Sequence, residues 1–258
     1  MNRRRFTDSP NFPVYSGFNR LAINMTTDRR LQTTKIHQLS DSPPIMYNPQ
    51  CWPYSNPPEA AILGNGSYPT HTIPLQIINN SVFIVCCDGA ADKLLAHNIV
   101  PNLIVGDCDS VSDEVKTKYS NILRKISEQE TNDQTKAVKT LLELDKRNFA
   151  IVGATGDRED HTIGNIALLA EYQKMGANVA MYTNHGVFLP LAGNAEFIVD
   201  PRQQISIFNI NCTKMQSFGL TYPIYTFTNW WQGTLNNSEC GNFKIEADGQ
   251  YLVMMSYK

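Results

Sequence analysis

The sequence predicts an α/β fold in which a parallel-sheet domain is followed by a small antiparallel β-sandwich domain, and three observations carry that prediction. Between residues 60 and 183, short apolar runs alternate with helix-length amphipathic stretches, the pattern of βαβ units. After about Val187 the helical period stops, and short runs separated by Gly, Asn and Pro continue to the C-terminus, as in a small sandwich or barrel. Three of the apolar runs end in small residues and carboxylates, at the edge where an open parallel sheet binds its ligands.

Residues 1–58 differ in texture. They carry Pro10, Pro13, Pro43, Pro44, Pro49, Pro53, Pro57 and Pro58 and sustain no period of 2 or 3.6, so a disordered or poorly ordered extension is expected. Met46 is an alternative natural start. The α/β domain is expected over 59–191 and the sandwich over 192–258, with the boundary near Leu191 to Asn194. In order, AAILG (60–64), VFIVCC (82–87), NLIVG (102–106), NILRKI (121–126), NFAIVGA (148–154) and NVAMYT (178–183) read as strands. ADKLLAHN (91–98), SDEVKTKY (112–119), DQTKAVKTLLELDKR (133–147) and HTIGNIALLAEYQKMG (161–176) read as helices. The third places Ala137, Val138, Leu141, Leu142 and Leu144 on one face, and Gly176 closes the fourth. The sandwich strands are EFIV (196–199), QISIFNI (204–210), GLTYPIYTF (219–227), NFKIEA (242–247) and QYLVMMSY (250–257).

Composition narrows the function classes. The 258 residues are 42% hydrophobic and 18% charged, with a net charge of −2, which supports a sizeable core and gives no reason to expect nucleic acid or a membrane surface as partner. No run of about eighteen apolar residues is present, and no apolar stretch follows the basic MNRRRF as in a secretory leader. The six cysteines make no CxxC pair and no zinc spacing, so free thiols in a reducing cytoplasm are expected.

The chemistry gathers at three strand ends. VFIVCC runs into Asp88-Gly89-Ala90-Ala91-Asp92, NLIV into Gly106-Asp107-Cys108-Asp109-Ser110, and NFAIVGA into Thr155-Gly156-Asp157-Arg158-Glu159-Asp160-His161. Mg²⁺ is a hard ion that takes one or two carboxylates together with waters and phosphate oxygens. Asp107 and Asp109 can face one ion if Cys108 points away, Gly106 and Gly89 allow close backbone approach, and Arg158 can neutralise phosphate. Taken singly, each has a plainer reading: an isolated D-x-D is usually a solvated turn, Asp133 serves as a helix N-cap, and His161 caps or packs. Carboxylates at successive strand ends point instead to a metal–phosphate site.

Here the sequence resembles the thiamine pyrophosphokinase family. DGAADKLLAHNIVPNLIVGDCDSVSDEV (88–115), ETNDQTKAV (130–138) and GATGDREDHTIGNIALL (153–169) are similar in order and spacing to that family's three elements. The resemblance implies a homodimer with sites at the subunit interface, using Mg²⁺, ATP and thiamine. Carried over by position, Asp88, Asp107, Asp109 and Asp133 are the catalytic carboxylates, with Asp107, Asp109 and Asp133 holding the metal. Asn132, where the family usually has Thr, joins Arg158, Asp160, His161 and Asn165 on the nucleotide side. WWQGTLNNS (230–238) resembles the family's thiamine turn, so Thr234 and Asn236 are substrate contacts and Leu235 replaces a Ser. Trp230 or Trp231 is placed to stack on the thiamine ring, Trp231 being the one assigned, with a core tryptophan as the alternative. Glu130, Asp157 and Ala90 are further departures from the family pattern.

The implied reaction is attack of the thiamine hydroxyl on the β-phosphorus of ATP, giving thiamine diphosphate and AMP. Asp88 or Asp133 would orient or accept the hydroxyl proton. Two rival readings are a phosphohydrolase built on Asp107-Cys108-Asp109 and a nucleotide- or thiamine-binding module without turnover.

Overall fold

The computed structural model describes residues 45–47 and 58–257. Nearly all of the stretch expected to be poorly ordered therefore lies outside the described residues, but within it β1 (Ile45–Tyr47) is a strand. The chain then alternates β2 (Ala60–Leu63), α1 (Thr72–Asn80), β3 (Ile84–Cys87), α2 (Ala90–Ala96), β4 (Leu103–Gly106), α3 (Asp113–Lys118), β5 (Leu123–Lys125), α4 (Asp133–Glu143), β6 (Asn148–Val152), α5 (Glu159–Lys174) and β7 (Asn178–Tyr182). It finishes with β8 (Gly186–Ala192), β9 (Ala195–Ile198), β10 (Gln204–Asn209), β11 (Met215–Phe218), β12 (Asn236–Asn237), β13 (Asn242–Ala247) and β14 (Gln250–Ser256).

These strands build two sheets, one in the order β12-β10-β14-β8-β7-β6-β2-β3-β4-β5 and one in the order β1-β9-β13-β11. From β7 to β5 every pairing is parallel, and from β7 through β8 to β12 every pairing is antiparallel. The inner parallel strands β2, β3, β4 and β6 are nearly continuous apolar runs because both faces are covered, whereas the edge strand β5 is Leu123-Arg124-Lys125 and largely exposed. Ala61 and Leu63 of β2 join the core that holds Ile77 and Ile78 of α1 and Leu94 of α2. Ala60 and Ile62, pointing the other way, join Val138 and Leu141 of α4 and Leu169 and Tyr172 of α5. The first core continues into the C-terminal part, where the Phe197 and Phe243 rings stack at 4.3 Å.

Strand order reverses beside β2: the chain goes outward through β3, β4 and β5, then returns to add β6 and β7 on the other side. The helices that follow β2 and β6, α1 and α5, pack on opposite faces of the sheet there, the arrangement in which an open parallel sheet forms a crevice at its carboxyl edge.

Several elements differ from the expectation. The boundary expected near Leu191 does not interrupt the sheet, because β8 pairs with β7 on one side and β14 on the other. One layer of the sandwich is thus an extension of the parallel sheet, with an antiparallel strand closing its edge. Helix α1 was not foreseen; Pro74 sits in its first turn, where a missing N–H costs no hydrogen bond, and His71 Nδ1 accepts from Ile73 N at 3.3 Å. The segment 219–227, read as a strand, is almost wholly irregular, and the strand lies upstream as β11. Gly219 at φ +80° turns the chain out of the sheet, and Pro223 has no N–H for a ladder. Leu144, expected on the buried face of α4, is its C-cap and 48% exposed, since Asp145 at φ 55° ends the helix.

Candidate active site

The β3–α2 turn supplies Asp88, a residue at φ 45° that is only 2% exposed. Its N–H donates to Val105 O at 2.9 Å, tying the turn to β4. Its Oδ2 accepts from Ser110 N at 3.1 Å, while Oδ1 is buried with no hydrogen-bond partner among the described residues. Burial raises the Asp88 carboxyl above the usual carboxylate range, and the nearby charge of Asp133 adds to this; the Ser110 bonds oppose it.

Asp107 and Asp109 follow β4. Between them Cys108, at φ 67°, turns its thiol inward toward Gly106 O, so its neighbours reach the outer side. Asp107 Oδ2 accepts from Gln129 Nε2 at 3.1 Å and Oδ1 from Asp109 N at 3.3 Å. These bonds, Gln129 first, hold its carboxyl below the ordinary value. Asp109 accepts from Ser110 Oγ at 2.9 Å. One oxygen from each of Asp88, Asp107 and Asp109 lies within 4.8 Å of the others.

The donor set suits a hard divalent cation: every ligand is a carboxylate oxygen, and the orphaned Asp88 Oδ1 lacks any other partner. Asp133, expected with Asp107 and Asp109 on the metal, stands outside this group at the first turn of α4. Its Oδ1 accepts instead from Lys136 Nζ at 3.0 Å, a lysine whose side chain is 3% exposed. Gly106 leaves room for both Asp133 and Asp88: a Cβ there would lie 2.9 Å from Asp88 Cβ and 3.3 Å from Asp133 Oδ1. Sequence reasoning passed over Lys136 and Gln129. The i,i+3 spacing of Asp133 and Lys136 on one helix face was the available signal for the first; nothing local marked the second.

On the nucleotide side, the Arg158 fork is engaged by Asp160, with Nε to Oδ1 at 3.1 Å and Nη2 to Oδ2 at 2.5 Å. Asp160 Oδ1 also accepts from His161 N at 2.9 Å. Asn132 caps α4 by accepting from Thr135 N, and its amide donates to Asn165 Oδ1 at 2.9 Å. Asn165 in turn donates to Ala154 O, also at 2.9 Å. A cleft beside these residues, at the ends of β2, β6 and β7, is lined by Ser67, Gly153, Thr155, Gly156, Thr183 and Asn184 among others.

The aromatic turn lies elsewhere. Trp230–Gly233 forms a 3-10 turn after β11; Trp231 is 72% exposed, and Trp230 packs edge-on to Phe208 at 5.7 Å. Thr234 Oγ1 donates to Trp231 O at 2.8 Å. Asn236 is buried and occupied with the backbone, accepting from Tyr222 N and donating to Tyr222 O at 2.6 Å, which makes it a brace for the irregular 219–227 segment. Strands β10 and β3 are six positions apart in the sheet, which at the usual strand spacing is roughly 29 Å. The described chain therefore brings the acidic residues together with Asn132, but not with the Trp231 turn.

Fold and site define a doubly wound α/β protein with an attached β-sandwich and a cluster of three carboxylates at the carboxyl edge of its sheet. Two family models match it in tandem: the catalytic domain of thiamin pyrophosphokinase over residues 75–181 and the substrate-binding domain over 186–254. The chain belongs to the thiamin pyrophosphokinase family. Thiamine pyrophosphokinase 3 of Oryza sativa subsp. japonica is 34% identical over 110 residues, 33% of this chain and 41% of that one. Thiamine pyrophosphokinase 2 of the same plant is 27% identical over 166 residues, 55% of this chain and 57% of that one. The matches thus span about half, or less, of these relatives' length. The thiamine pyrophosphokinase of Bacillus subtilis superposes with a TM-score of 0.65 at 19% identity, covering 78% of this chain and 100% of that one. The Candida albicans thiamin pyrophosphokinase gives 0.66 at 19% identity, covering 84% and 95%.

Proposed function

We propose that this chain is a Mg²⁺-dependent thiamine pyrophosphokinase, transferring pyrophosphate from ATP to the hydroxyl of thiamine to give thiamine diphosphate and AMP. The observation that carries the reading is the Asp88–Asp107–Asp109 group at the carboxyl edge, inside the region matching the catalytic-domain model. A bound Mg²⁺ would supply charge neutralisation for the phosphates. Asp88, Asp107 and Asp109 would hold it. Asp133, kept in place by Lys136, stands nearest to them and serves to orient the thiamine hydroxyl. Arg158 would exchange its exposed Asp160 partner for phosphate, and the cleft lined by Thr155 and Asn184 would receive the nucleoside.

The active form is a homodimer. The Trp231 turn is too far from the acidic group across one sheet, and Tyr222, Tyr225, Trp231 and Leu235 all leave more than half of their surface exposed. A second copy can bring that turn to the carboxylates. A cytoplasmic location agrees with the free cysteines, and no helix among the described residues is long and apolar enough to cross a membrane. The phosphohydrolase reading engages only the Asp107–Asp109 strand end, and nothing in the geometry favours it.

The test is a coupled AMP-release assay. AMP release that requires thiamine and Mg²⁺ and stops in EDTA is the expected result. AMP release independent of thiamine, or phosphate trapped covalently on an aspartate, would overturn it.

A further inference from the structure

Asp157 is an anion placed directly before Arg158, on the loop that faces the nucleotide cleft, and Lys93 answers it from α2. Lys93 Nζ lies 3.4 Å from Asp157 Oδ2 and donates to Asn65 O at 3.0 Å and Gly66 O at 2.7 Å. The other Asp157 oxygen accepts from Ser67 Oγ at 2.8 Å. The two loops so joined also run side by side, with Gly66 N donating to Gly153 O at 2.7 Å and Ser67 N to Thr155 O at 2.9 Å. Gly66 has no room for a side chain, since a Cβ would sit 2.5 Å from Thr155 O. The ammonium is thus aimed by two backbone carbonyls whose own loop is fixed, and its remaining direction points at the carboxylate.

A carboxylate beside a polyphosphate opposes binding unless its charge is cancelled. Resting on the nucleotide chemistry proposed above, we infer that Lys93 is a positioning residue for ATP. It cancels the charge of Asp157 and holds the 153–157 loop against the 64–67 loop, so that Asp157 adds no repulsion beside the Arg158 that meets the phosphates. Charge cancellation is the larger part, because Ser67 and the backbone bonds hold the loops without Lys93.

The experiment measures dissociation constants for α,β-methylene ATP with Mg²⁺, an analogue whose α–β bridge resists the transfer, on the full chain. Lys93→Met should weaken binding about three- to fivefold, the scale of a partly exposed ion pair. Lys93→Met combined with Asp157→Asn should return it to within about twofold of wild type, because the unpaired anion is gone. A structural role would leave the double variant as weak as Lys93→Met, and that result overturns the inference, as does wild-type affinity in Lys93→Met. A wild type that binds the analogue yet releases no AMP with thiamine would sink the proposed function while leaving this inference standing. A wild type that fails to bind the analogue would sink both.

Discussion

The side-chain amide of Asn132 donates to Asn165 Oδ1 at 2.9 Å, joining the cap of α4 to the first turns of α5. Asn132 Oδ1 meanwhile accepts from Thr135 N and Thr135 Oγ1, and Thr135 Oγ1 meets the buried Tyr172 hydroxyl at 2.8 Å. Asn132, through Asn165, therefore connects the start of α4, where Asp133 stands, with the loop that leaves β6 at Ala154. Asn132→Thr keeps an acceptor for the cap and loses the donor to Asn165. It should cost about 0.5–1.5 kcal/mol, the worth of one hydrogen bond, and Asn132→Ala should cost more because the cap goes too. Urea unfolding of the two variants checks the order.

Asp88→Asn should stabilise the metal-free protein at neutral pH while abolishing turnover. The folded-state carboxyl is raised, chiefly by burial, so its contribution to stability is fully present below the unfolded value, about 3.9, and is lost as pH rises through the folded value. Asparagine escapes that loss and also tolerates φ 45°. Thermal melts in EDTA should show a Tm gain of roughly 2–4 °C at pH 7 that shrinks as pH falls toward 4. Equal gains at both pH values would mean that backbone preference alone is responsible.

Gly106→Ala should damage both folding and activity. The new methyl would meet Asp88 Cβ at 2.9 Å, and the Asp88 backbone cannot withdraw because its N–H is bound to Val105 O. Overpacking of this kind costs about 1–3 kcal/mol. A variant with wild-type melting and normal AMP release would show that the two strand ends have slack.

Leu235→Gly should stabilise the isolated chain. Leu235 sits at φ 63° with 68% of its surface exposed, so it bears left-handed strain with little packing in return. Relief of about 1 kcal/mol is expected, read by chemical denaturation of dilute protein. At concentrations where the dimer forms, the same change should weaken association if Leu235 meets the second copy; sedimentation separates the two effects.

Removing Mg²⁺ with EDTA should lower the melting temperature below that of the metal-loaded protein, by loss of the mass-action stabilisation that a ligand of the native state provides. Asp107→Asn should erase that difference, since Asp107 is one of the grouped carboxylates. Differential scanning calorimetry with and without Mg²⁺ measures it.

Much of this was legible in the chain alone. The βαβ texture, the runs ending at Asp88, Asp107 and Ala154, and the helix opening at Asp133 are local, since strand and helix periods and capping residues act within a few positions. The α1 helix was missed because proline reads as a breaker and only its place in the first turn makes Pro74 tolerated, whereas 219–227 was read as a strand although Pro223 lies inside it and has no N–H for a ladder.

Tertiary structure alone decided which carboxylates lie together. Asp88 and Asp107 come from strands that pair, and the orphaned Oδ1 of Asp88 exists only because β3, β4 and the Ser110 loop bury it together. Asp133 lies outside the group and pairs with Lys136, and the absent side chain of Gly106 leaves room for both Asp88 and the Asp133 carboxylate. The sequence thus named the carboxylates through spacing and capping. Their grouping depended on strand register and burial, which arise from contacts between residues far apart in the chain.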